Sequence, residues 1–136
     1  ESFLQKPMVK IQEGGDSAYY SPNGDFIAIP SLNQFNNSEL YYAVLSHEMI
    51  HATSHKDRCN RNLSQYSFDD SVRAFEEIIA ELGSAFICSE FGIFNETRKD
   101  HLPYIKGWVS ILRENKKAIM QAASQASKAV NWIKAA

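Results

Sequence analysis

The segment Tyr41–Asn60, YYAVLSHEMIHATSHKDRCN, places His47, Glu48 and His51 in the order His-Glu-x-x-His. Residues four apart lie above one another on a helix, so His47 and His51 present two imidazoles to one point. Neutral imidazole is a good ligand for a divalent cation, zinc above all, although other transition metals accept it. Glu48 is one position around from His47, within reach of a water held at the same ion. A bound cation lowers the pKa of such a water to about 7. A carboxylate beside it can take a proton and return it to a leaving amine. The spacing therefore points to metal-assisted hydrolysis, with Glu48 as the catalytic acid and base.

A catalytic zinc site uses three protein ligands and keeps one position open. The third ligand is expected from FEEIIAELGSAF, where Glu77 and Glu81 lie four apart and can face the same way. Glu77 is assigned to the metal. Glu81 is assigned to the outer shell, accepting the N–H of a ligand histidine, and the reverse assignment stays open. Glu76 falls on another part of the helix and is expected to be solvated. His55 is a weaker candidate, because three histidines on one straight helical face spread over about 12 Å of axis. Its simpler reading is a residue near a helix C-terminus, interacting with the dipole. His101 is a further ligand candidate, read more simply as a transition-state hydrogen-bond donor or a structural residue, and Tyr104 and Tyr66 are candidates for polarising a scissile carbonyl.

These residues need a frame. Met8–Ile11, Ala18–Tyr20 and Phe26–Ile29 read as short strands, broken by Glu13-Gly14-Gly15-Asp16 and Ser21-Pro22-Asn23-Gly24-Asp25. The pattern predicts a small, mostly antiparallel sheet with a hairpin, and Phe26–Ile29 is a candidate edge strand for pairing with an extended substrate. From Asn37 the chain reads as helical. Asn37 or Ser38 caps a first helix to about Ser54, and Asp69, Asp70 or Ser71 caps a second that stops near Gly92. Val72, Phe75, Ile79, Leu82 and Phe86 form its apolar stripe. Asp100 caps a third helix with Pro103 in its first turn, and an Ala-rich fourth covers Lys116–Lys134. The class is α+β: a small sheet, then about four helices.

The 136 residues suit one domain, with 44% hydrophobic and 22% charged residues. A net charge of −2 argues against purely electrostatic nucleic-acid binding. No apolar run is long enough for a bilayer span. Cys59 and Cys88 are too few for a disulfide framework. Cys88 reads as a small buried hydrophobe and Cys59 as a loop residue. Two thiols fit a reducing cytoplasm.

Several motifs in order carry a likeness. Asp25, Ile27 and Pro30, then Phe35, YYAVLSHEMIHATSHKDRCNR, FEEIIAELGSAFICSEFGI, Tyr104 and Trp108 together resemble the zincin-like metallopeptidase domain of ArdC-type antirestriction proteins. Similar domains occur in plasmid-transfer primases and phage polyvalent proteins. The resemblance implies a metal site at His47, His51 and a glutamate of the second helix, with Glu48 as acid and base. It also implies that residues 1–136 are one domain, the C-terminal part of a longer protein whose N-terminal domain binds single-stranded DNA and which protects mobile DNA from restriction. The family pattern commonly has Trp and Gly where this chain has Ala52 and Ser54.

The leading expectation is a zinc-dependent peptidase acting on a peptide or protein. The alternative is a metallated but proteolytically silent module that contacts a restriction enzyme or DNA, with Arg58, Arg61, Arg73, Lys116 and Lys117 as a basic face.

Overall fold

The computed structural model describes residues 9–93, 102–113 and 115–135, of which residues 102–105 are described as backbone only. Three strands come first: β1 (Lys10–Glu13), β2 (Tyr19–Ser21) and β3 (Phe26–Ile29). Their order is β1-β3-β2, with β2 antiparallel and β1 parallel to β3. The hairpin falls where expected, around Pro22–Asp25. The sheet is half parallel rather than mostly antiparallel, and Phe26–Ile29 is its central strand, not an edge. Alternation identifies a strand but not the direction of its partner. Gly14 and Gly15, with φ of 132° and 75°, turn the chain out of β1 in conformations that favour glycine. The hairpin then closes on the far side of β3, leaving β2 at the edge.

Helix α1 (Ser38–Ala52) begins at Asn37, whose Oδ1 accepts from Leu40 N at 2.7 Å. That contact satisfies one of the free N–H groups at the helix start. Helix α2 (Asp70–Glu90) begins at Asp69, which accepts from the N–H groups of Ser71 and Val72. Gly92, at φ 66°, takes the left-handed position just beyond its end. Helices α3 (Leu102–Leu112) and α4 (Lys116–Ala135) follow. Ile27 and Ile29 of β3 are fully buried, and α1 lies between the sheet and α2. On its other side α2 packs on α3 and α4, and α4 buries Ala118, Ala122, Ala126, Ala129, Val130 and Ile133.

Helix α2 buries only part of its predicted apolar stripe: Ile79 is fully buried, and Phe75 and Leu82 pack against the core from its margin. Phe86 is exposed, and Val72, Phe75 and Leu82 are only half-buried. Glu76, Ala80, Gly83, Ser84 and Ile87 are buried along with Ile78 and Ile79. Small residues let α1 approach closely, and the neighbouring carboxylates then face its histidines. Ser84 Oγ donates to Ala43 O across this contact at 3.2 Å. A Cβ at Gly83 would stand 2.7 Å from Cδ1 and 2.8 Å from Cγ1 of the buried Ile50. The cysteines reverse expectation in part: Cys59 is buried and Cys88 half-buried, both as thiols rather than a disulfide.

Replacing Gly83 by Ala should overpack this contact. We expect a net loss of about 1 kcal/mol, the overpacking strain being partly offset by alanine's better helix propensity. Chemical denaturation checks the loss, and a companion metal titration should show weaker binding as the helices part.

Candidate metal centre

His47 and His51 project from successive turns of α1 toward α2. Their Nε2 atoms lie 3.2 Å apart. Glu77 completes the group, with Oε2 3.0 Å from His51 Nε2 and Oε1 3.6 Å from His47 Nε2. One ligand atom from each of the three residues falls within 4.8 Å of the others. Ligand atoms about 2.0–2.1 Å from a tetrahedral cation stand roughly 3.3 Å from each other, so the observed spacing suits one ion.

The far side of each ring fixes what Nε2 can offer. His51 Nδ1 lies 2.8 Å from Glu76 Oε2. A carboxylate only accepts, so Nδ1 carries the proton and the neutral ring turns a lone pair outward at Nε2. His47 Nδ1 lies 3.1 Å from Glu81 Oε1, an ion-pair separation, although among the described residues no acceptor is aligned with its N–H as a hydrogen bond. Two imidazole lone pairs and a carboxylate oxygen therefore face one another, a donor set that fits a divalent cation. Burial pushes the pKa values of His51 and His47 down, but the carboxylates outweigh it and raise both above the ordinary value. Burial would raise Glu77, but hydrogen bonds from His47 and His51 hold it well below the usual carboxylate range. A cation thus competes with protons for these Nε2 atoms.

Glu76 is not solvated: it is 1% exposed. Its Oε1 accepts from Arg61 Nε at 2.8 Å and its Oε2 from Arg61 Nη2 at 2.9 Å. Arg61 also donates to Ile50 O and Thr53 Oγ1 near the end of α1. Burial would raise the pKa of Glu76, but Arg61 and His51 hold it below the ordinary value. Adjacent glutamates thus divide their contacts: Glu77 meets Nε2 atoms, and Glu76 meets the back of His51. Sequence reasoning placed Arg61 on a basic face and missed this pairing, because no short spacing links it to Glu76.

Glu48 is buried beside the histidines, and no hydrogen bond to it is found among the described residues. Burial pushes its pKa up, despite the opposing pull of His47 and His51. A cleft of about 860 Å³ opens over this group, with Tyr19, Tyr20, Leu63, Tyr66 and Phe68 among its walls. Tyr66 Oη donates to Glu77 Oε2 at 2.6 Å; burial and this bond push its pKa above the ordinary range. Helix α1 ends before His55, which lies 3.8 Å from Asp25 rather than with the other histidines. His101 is outside the described residues, as is the Tyr104 side chain. The basic face does not assemble as expected, since Arg58 pairs with Asp25, Arg61 with Glu76 and Arg73 with Asp70.

The family described as zincin-like metallopeptidase matches residues 1–125, and the chain belongs to that family. The chain is an ArdC-type domain of that family. Over 98% of its length the chain is similar to the manganese(II)-bound crystal structure of antirestriction protein ArdC from plasmid R388, with 34% identity and a TM-score of 0.84. The metal-free structure of that protein gives 35% and 0.80. An uncharacterised Sinorhizobium fredii protein, y4eC, is 39% identical over 99% of this chain. DNA primase TraC of Escherichia coli is 34% identical over 88% of it. The chain covers 50% of the ArdC chain, 44% of y4eC and 8% of TraC. Among the described residues no helix is long and apolar enough to cross a membrane.

Glu76→Gln should weaken metal binding by about 10–100-fold, the usual effect of losing an outer-shell partner. It should also destabilise the protein by about 3–5 kcal/mol, because Arg61 stays buried without its counter-charge. Metal titration and urea denaturation read the two effects separately.

Hydrogen bonding from the Arg58 guanidinium holds the pKa of the Asp25 carboxyl below the ordinary aspartate value, with burial opposing. Its stabilising contribution is therefore full above that unfolded value and disappears as pH falls through the lower folded one. The melting temperature of wild type should fall toward that of Asp25→Asn across this acidic window, and should differ most near neutrality.

Proposed function

We propose that this domain is a metal-dependent peptidase whose cation, zinc by the chemistry of its donors, is held by His47, His51 and Glu77. The observation that carries the reading is the convergence of three lone-pair donors on the floor of an open cleft, beside Glu48. When bound, the ion supplies Lewis acidity toward a water and a peptide carbonyl. Glu48 takes a proton from the attacking water and passes it to the departing amine. Its raised pKa suits both halves of that transfer, since a catalytic acid–base works best with a pKa near the working pH. Glu76 holds the ring of His51 from behind, and Glu81 stands at ion-pair distance behind that of His47. Tyr66 fixes the Glu77 carboxylate.

Edge strand β2, rather than β3, is placed to receive an extended peptide. Tyr19 and Tyr20 line the cleft, and among the described residues no strand pairs with the side of β2 away from β3. Strand addition there would lay the substrate backbone beside Glu48. The proteolytically silent alternative draws less support, because three of the five cations proposed for a basic face are tied to acids. A role in protecting mobile DNA, with DNA held by another domain of a longer protein, follows the ArdC likeness. We place the domain in the cytoplasm, consistent with its two thiols.

Glu48→Gln should retain the ion at wild-type affinity and lose hydrolysis by at least about a hundredfold, the lower range for a removed acid–base group. Metal content and cleavage of a quenched fluorescent peptide library test this together. Retained hydrolysis in the loaded variant would remove the assigned role.

A further inference from the structure

The loop following α1 extends two arginines in different directions. Its backbone is folded onto the helix end: Cys59 N donates to Thr53 O at 2.7 Å, Arg58 N to His55 O at 2.9 Å and Arg61 N to Ser54 O at 2.9 Å. Arg61 reaches α2 and the back of His51. Arg58 reaches the sheet. Its Nη1 and Nη2 donate to Asp25 Oδ1 at 2.7 Å and Oδ2 at 2.9 Å, and Nη1 also donates to Ala52 O at 2.9 Å. Asp25 closes the β2–β3 turn at φ 51°, a left-handed conformation an aspartate tolerates better than most residues. Tyr20 Oη, from β2 itself, donates to Asp25 Oδ1 at 2.8 Å. An unbroken chain of contacts thus runs from the end of the histidine helix, through Arg58 and Asp25, to the edge strand beside the cleft.

We infer that Asp25 and Arg58 are positioning residues that hold β2 at a fixed height over the histidine helix, so that they govern substrate binding independently of the cation. The inference rests on the peptidase reading of the same cleft. A bidentate guanidinium–carboxylate pair fixes orientation as well as distance, and the side-chain exposures are 9% for Arg58 and 30% for Asp25. Neither residue belongs to the His47, His51 and Glu77 group. The two arms should therefore separate: disturbing Arg61 or Glu76 acts on the ion, and disturbing Asp25 or Arg58 acts on the strand.

Asp25→Asn and Arg58→Lys test this in the metal-loaded chain. Asparagine keeps the shape of the turn residue but loses its charge, and lysine keeps the charge but loses the fork. Both variants should bind zinc within about twofold of wild type, and both should raise KM for a library peptide about tenfold with kcat unchanged, a misplacement effect. Hydrogen exchange should quicken more in Tyr19–Ile29 than in Ser38–Ala52, beyond the change that the loss of global stability causes. Wild-type KM in both variants, or zinc affinity falling in step with KM, overturns the inference. A wild-type domain that takes up zinc but cleaves no library peptide overturns the peptidase reading and the substrate role drawn from it. Unchanged hairpin exchange in both variants removes the clamp itself.

Discussion

The buried contact of Arg61 with Glu76, and of Glu76 with His51, is the constraint from which the rest of the site follows. A carboxylate with 1% exposure would ordinarily take up a proton or weaken the fold. Here a guanidinium binds both of its oxygens and keeps it charged. The same carboxylate faces the back of His51 and sets its tautomer. Arg61 contributes further by donating to Ile50 O near the end of α1. One side chain thus closes a helix end, neutralises a buried acid and, through that acid, orients an imidazole. The arrangement favours specificity of geometry over stability, since a buried ion pair gains little against its desolvation.

This contact is possible only because α1 and α2 lie close. Ala80, Gly83 and Ser84 leave no bulk between them. Bulky residues on that face would hold the helices apart and carry Glu76, Glu77 and Glu81 out of reach of the rings. Ile78, Ile79 and Ile87 of α2 are buried in the core, whereas Phe75 and Leu82 are half-buried and Phe86 is left exposed. Core packing and site chemistry are therefore one design on this helix: the residues that permit approach alternate with those that use it.

Family membership and local chemistry agree about the centre but reach different distances. The match to zincin-like metallopeptidases and the likeness to ArdC account for the fold and for a histidine and glutamate cluster suited to a divalent cation. The relatives carry this unit within longer chains, from a primase to an antirestriction protein. A unit that recurs beside different neighbours needs its own means of holding the cleft together. The two arginines of the short loop after α1 provide that from within the domain.

His-Glu-x-x-His, its helix, the Asn37 and Asp69 caps and the stop at Gly92 were legible in the sequence because each depends on residues a few positions apart. So was the pairing of Glu77 and Glu81, four apart on the next helix. The burial of Glu76 was not legible, because the apolar stripe marks one face of α2, whereas the folded helix is covered by α1, α3 and α4 on more than that face. Neither the parallel pairing of β1 nor the edge position of β2 was readable, since alternation does not specify a partner. Arg58 and Arg61 read locally as surface charge. Their partners lie in a hairpin upstream and a helix downstream, and only folding brings those carboxylates within hydrogen-bonding distance. The sequence by itself determined which groups could bind and turn over a proton; the tertiary structure decided which acid stands behind which ring, because that depends on helix separation and rotation set by the whole core.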